Sequence, residues 1–143
     1  MSRSKMLLVA GFGVCLTAIG FFAGQSIGKE GDKPRIYELR IYTALEGRMP
    51  ALHARFRDHT IKLFEKHGME NGMYWVSADD PNKLIYVVSH ASREAVKKSW
   101  ADFVADPDWK KAKEASEKAG PILAKPPEAI YMNLTDYSPQ PKS

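Results

Sequence analysis

Strand and helix periodicities fall along this chain in the order β-α-β-β-α-β, and that order most narrows what it can become. "IYELRIYT" at 36–43 is β-branched and aromatic and alternates with period two, which predicts a strand. A helix is expected from about Pro50 to His67, with proline in its first turn and Gly68 as its stop. Met73–Ser77 and Leu84–His90 read as two strands of a hairpin joined by the turn residues "ADDPNK". Ser92 can cap a helix over "SREAVKKSWADFVAD"; Asp106-Pro107 breaks it, and Asp108 restarts it as far as Ala119. Val96, Trp100, Phe103 and Val104 fall on one side of its first piece. "EAIYMNLTDY" at 128–137 closes the pattern as a fourth strand.

The implied fold class is α+β, a ferredoxin-like βαββαβ domain with both helices on one face of the sheet and nothing on the other. Alternation in the first strand sends Tyr37, Leu39 and Ile41 one way and Glu38, Arg40 and Tyr42 the other. The expectation is that Glu38, Arg40 and Tyr42 lie on the uncovered face with Tyr131, Asn133 and Thr135, joined by Tyr86 and His90. Such a surface is too aromatic for open water and too polar for a dry core. A second copy across a partly wet, tyrosine-rich cavity would cover it.

Ahead of the domain, two cations precede an uncharged run from Met6 to Ile27, the layout of a signal peptide or an N-terminal membrane anchor over residues 1–28. The run is long enough to stay in a bilayer, which takes roughly 20 apolar residues. "KEGDKPR" at 29–35 reads as a linker, 36–139 as the domain and 140–143 as a C-terminal tail. This arrangement implies export from a bacterial cytoplasm, with the protein soluble on the far side or anchored by residues 6–27. Cys15 is the chain's only cysteine and lies in that leader, so the domain has no internal disulfide, cysteine nucleophile or thiolate metal site. Two of the charges behind the net +4 also belong to the leader, and no basic run interleaves with aromatics, so nucleic acid is excluded as an expected partner.

"HARFRDHTIKLFEKHGM" at 53–69 carries three of the four histidines. Gaps of six and eight residues differ from the i, i+4 pairs that chelate a metal, and the first puts His53 and His59 on well-separated sides of a helix, so no metal site is predicted. His59 falls in the apolar stripe with Leu52, Phe56 and Leu63 and is expected to be packed; His67 sits where the helix dipole favours a cation. Glu38 and Arg40 share a strand face, as either an acid or base beside an anion-binding guanidinium or a structural ion pair. His90 is the histidine suited to proton transfer, with no evident orienting partner; Glu38 and His90 are the catalytic candidates. Arg40, Tyr42, Tyr86, Tyr131 and Asn133 are the candidate ligand-binding residues. Trp100 and Trp109 read as helix packing. Phosphate loops and G-x-S-x-G elbows are absent, which removes nucleotide and serine hydrolysis.

"YELRIYT" at 37–43, "FEKHGM" at 64–69, "GMYW" at 72–75, "LIYVVSHASREAVKKSWADFVADPDW" at 84–109 and "LTDYSP" at 134–139 together resemble the NIPSNAP family. The resemblance implies a dimeric α+β barrel, in keeping with the uncovered sheet face. Animal members resemble mitochondrial and vesicle-associated binding factors; bacterial members mostly lack an assigned reaction. The expected function is a homodimeric binding or scaffold protein, leaning away from catalysis, with no cofactor and with a small molecule or protein as ligand. The alternative is a cofactor-free oxidoreductase or isomerase of monooxygenase type working in the barrel cavity. A haem-linked role would require His90 as an axial ligand.

Overall fold

Eight alternating residues form the first strand, β1 (Ile36–Thr43), and Pro50 at the N-terminal turn starts a helical run that continues to Lys66. The computed structural model describes residues 35–139. The expected leader or anchor, residues 29–34 of the linker and the 140–143 tail lie outside the described residues. Among the described residues no helix is long and apolar enough to cross a membrane.

The helical run has three pieces: α1 (Met49–Arg55), a π-helical turn at Phe56–Thr60, and α2 (Ile61–Lys66). In the π turn the amide of Ile61 donates to the carbonyl of Phe56, five residues back, and the Thr60 hydroxyl donates to the carbonyl of Arg55 at 3.1 Å. The widened turn rotates the helix beyond it, and this corrects the expectation for His59: it is exposed, while Thr60 and Leu63 are buried. Gly68, at φ +76°, ends the run. Its left-handed conformation lets the Met69 amide reach the carbonyl of Phe64 at 2.9 Å and the Gly68 amide reach Glu65 at 3.0 Å, with Met69 buried against the helix end.

The remaining elements are β2 (Glu70–Val76), β3 (Lys83–His90), α3 (Arg93–Ala105), α4 (Pro107–Ser116) and β4 (Glu128–Met132). The last strand ends five residues earlier than its pattern suggested, so Asn133 and Thr135 lie beyond the sheet. Ser92 caps α3 by accepting from the Ala95 amide at 3.2 Å, and Asp106 caps α4 by accepting from Asp108 at 2.8 Å. The sheet is antiparallel in the order β2-β3-β1-β4, the ferredoxin-like arrangement.

The face assignment is reversed from the sequence expectation. Glu38, Tyr42, Tyr86, Val88 and His90 are buried beneath the helices, and Phe56, Phe64, Trp100 and Phe103 descend onto them. Phe64 stacks on Tyr86 with centroids 5.9 Å apart and meets Phe103 at 5.0 Å. Burying a residue such as Phe64 outright contributes about 1.5–3 kcal/mol, so these rings dominate the core. Val104, expected with them, is exposed. Tyr37, Leu39 and Ile41 therefore form the uncovered face, opposite Ser89, Val87 and Ile85 on β3 and Met132, Ile130 and Glu128 on β4. Trp75 joins from β2 opposite Ile85. That face is apolar, with Ile130 54% and Trp75 45% exposed. Tyr42 and Tyr86, assigned to an inter-subunit cavity, belong instead to the interior of one chain.

Candidate functional site

Four side chains that the fold gathers from three elements make the most concentrated polar cluster of the interior. Glu38 on β1 is fully buried. Its Oε2 accepts from the Trp100 indole Nε1 at 2.7 Å and lies 2.9 Å from His90 Nε2; its Oε1 accepts from Arg40 Nη1 at 2.8 Å. The Arg40 guanidinium also lies over the Trp100 ring, 4.3 Å from its centroid. Burial opposes the charge on Glu38 most strongly, but the bonds from His90, Trp100 and Arg40 together outweigh it and hold the carboxyl below its ordinary value. An ionised carboxylate only accepts, so His90 carries a proton on Nε2. Among the described residues its buried Nδ1 has no hydrogen-bond partner.

The sequence expectation that His90 lacks an orienting partner is thus corrected: Glu38 is that partner. Trp100 belongs to the same network as well as to the helix packing. A polar role for Trp100 was missed because an indole at an apolar helical position looks the same whether or not its N–H is engaged. Trp109 packs on Phe103 with centroids 4.4 Å apart. Among the candidate ligand residues, Tyr42 and Tyr86 are buried in the aromatic core. Arg40 and Tyr131 line an open depression of about 460 Å³ with Arg93, Val96, Lys97 and Trp100. Asn133 lines an adjoining depression of about 390 Å³ with Ile36, Arg93, Tyr131 and Met132. The Arg40 side chain, 15% exposed, links the buried cluster to the first depression.

A second acid–histidine contact lies away from this site. His67 Nε2 is 2.6 Å from Asp106 Oδ2, which Lys66 also approaches at 2.8 Å. The bond from Lys66, then that from His67, holds the Asp106 carboxyl well below its usual range. This contact ties the end of α2 to the start of α4. His59 borders a separate surface groove with Asp58, Lys62 and Asp108. Among the described residues no three His, Cys, Asp or Glu side chains converge as a metal site.

The fold and cluster define a ferredoxin-like α+β domain with a carboxylate–imidazole–indole centre under its helices. Residues 37–139 match the NIPSNAP family, and the chain belongs to it. A nipsnap family protein with unknown function from Agrobacterium tumefaciens superposes with a TM-score of 0.64 at 23% identity, covering 76% of this chain and 95% of its own. An uncharacterized NIPSNAP-like domain protein from Burkholderia xenovorans gives 0.64 at 18% identity, covering 74% and 90%. A Streptomyces coelicolor monooxygenase, in complex with the ligand nanaomycin D, gives 0.55 at 17% identity, covering 80% and 100%. At these identities the likeness concerns the fold. No curated protein matches the chain.

Proposed function

We propose that this NIPSNAP domain is a homodimeric binding protein, exported and held at the membrane where its leader is retained, rather than an enzyme. The observation that supports it is the contrast between the two sides of its sheet. Beneath the helices, the Glu38 carboxylate is fully buried and engaged by His90, Trp100 and Arg40. On the other side lies an apolar field that includes Leu39, Ile41, Ile85, Val87 and Ile130, of the kind that marks an association surface. Two copies meeting face to face would bury both fields and enclose a barrel. Sedimentation of the purified chain should give twice the 16.0 kDa of one subunit. Replacing both Leu39 and Ile130 with Glu should give folded monomers. A wild-type chain that stays monomeric at high micromolar concentration would overturn the dimer.

One observation favours a second reading, acid–base chemistry on a small molecule: the imidazole of His90 is oriented by Glu38 and, among the described residues, its Nδ1 has no partner. It requires an opening of the fully buried His90 to substrate. Hydrogen exchange of the His90 ring, followed by NMR, tests this. Exchange as slow as global unfolding rules the reading out.

A further inference from the structure

We propose that the depression between β1, β4 and the first two turns of α3 binds a planar organic anion, an aromatic carboxylate, held by Arg93 and Lys97 with its ring on the apolar wall beside the Arg93–Tyr131 stack. This gives the binding reading a place and a ligand class, and rests on that reading only in needing a ligand: Arg93, Lys97 and Tyr131 belong to one chain, so the anion-holding groups need no second copy.

Charge points to an anion. Arg40, Arg93 and Lys97 line the depression, and among the described residues no carboxylate does. Glu38 lies beneath it with both oxygens engaged. Among the described residues no salt bridge forms at Arg93 or Lys97, whereas Lys98, on the same helix, is paired with Asp102. Arg93 and Lys97 are four residues apart on α3 and so project from one side of it.

Arg93 is also pre-organised. Its guanidinium lies over the Tyr131 ring, 4.1 Å from the centroid. Such stacking occupies a face of the guanidinium, while its N–H donors lie in the plane of the group and stay free for the two oxygens of a carboxylate. Arg93 is thus held in position by a contact that spends none of its donors.

Shape selects a ring rather than a bare anion. The depressions of about 460 and 390 Å³ share Arg93 and Tyr131, so they adjoin on either side of that stack. Each is in the range of small-molecule sites, roughly 300–1,000 Å³. Ile36, Val96 and Met132 supply apolar wall beside the cations. A bare phosphate would leave that wall unused; a flat ring bearing a carboxylate uses both parts.

The test titrates 2-naphthoate into the full chain, followed by ¹H–¹⁵N NMR, with 2-naphthamide and inorganic phosphate as controls. Saturable shifts should appear at the Trp100 indole and at the Arg93 and Lys97 amides. Neutral 2-naphthamide should bind at least about tenfold more weakly, as should 2-naphthoate to Arg93→Gln, each loss being that of a charge-assisted hydrogen bond. Lys97→Met should weaken binding less. Both substitutions are at exposed positions, and an unchanged pattern of amide shifts elsewhere would confirm folding. Absence of saturable binding at millimolar ligand would overturn the proposal, as would equal affinity for the amide or undiminished binding by Arg93→Gln. Phosphate binding as tightly as 2-naphthoate would reduce the site to a general anion patch and overturn the aromatic part. Sedimentation of the same samples separates these outcomes from a failure of the dimer.

Discussion

Removing the Glu38 carboxylate tests the buried centre most directly. In Glu38→Ala the Trp100 N–H and the His90 Nε2 donor lose the fully buried carboxylate that accepts from them, and Arg40 loses its counter-charge. Each stranded buried donor costs about 1–3 kcal/mol. Arg40 is partly exposed and can recover water, so its share is small. The total is about 3–5 kcal/mol, the range for breaking a buried ion pair by deleting one partner. Glu38→Gln keeps the shape and one acceptor oxygen, but turns an NH₂ group toward a cluster of donors. It should cost less, about 1–2 kcal/mol, because His90 can relieve the clash by moving its proton to Nδ1. Urea unfolding followed by circular dichroism, at pH 7 and at lower pH, measures both variants. The carboxyl is held below its ordinary value of 4.5 in the folded protein. Its ionised form therefore adds stability above that value, and the addition is lost as pH falls through the lower folded value. The gap between wild type and Glu38→Gln should accordingly narrow in acid. If Glu38→Ala unfolds within about 1 kcal/mol of wild type at pH 7, below the cost of one stranded donor, the network does not hold the interior together and the reasoning fails.

Asp106→Asn should keep the α4 cap yet lower the urea midpoint at pH 7, because Lys66 and His67 favour the ionised acid; since that benefit disappears as pH falls through the depressed folded value, the difference from wild type should shrink toward pH 3, roughly a unit below the ordinary aspartate value. Ser92→Ala removes the acceptor for the Ala95 amide and should cost about 1 kcal/mol in chemical denaturation, with amide exchange fastest in the first turn of α3. Gly68→Ala forces a side chain into a left-handed position and should cost about 1–2 kcal/mol, although the new methyl meets only the Ser99 hydroxyl at 3.8 Å. At Gly72 the obstacle is contact rather than backbone angle: an added Cβ would lie 2.7 Å from the carbonyl oxygen of Val87, so Gly72→Ala should loosen β2 from β3, seen as faster exchange of the Trp75 and Val76 amides.

The element order and fold class were legible because they rest on periodicity and punctuation, which are local. Pro50, Gly68, Ser92 and Asp106-Pro107 mark helix ends through their own backbone chemistry, and all do so in the structure. His59 was misplaced because one π turn shifts the phase of everything after it, and no composition signal in "FRDHT" marks the extra residue. The reversed sheet has a deeper cause. Alternation shows that β1 has two distinct faces, but which one meets the helices depends on residues far along the chain. Glu38 and Arg40 look like surface in isolation. They lie inside because His90, 52 residues away, and Trp100, 62 away, close around the carboxylate. A buried charge is tolerable only when its partners arrive together, and that coincidence is a property of the fold. The apolar set Tyr37, Leu39 and Ile41 looked like a core face for the same reason: apolar residues seek cover, and a second subunit would provide it as well as a helix. The pairing of Glu38 with His90 and Trp100 was hidden by sequence distance alone, since each residue carries the right chemistry and none carries an address for the others.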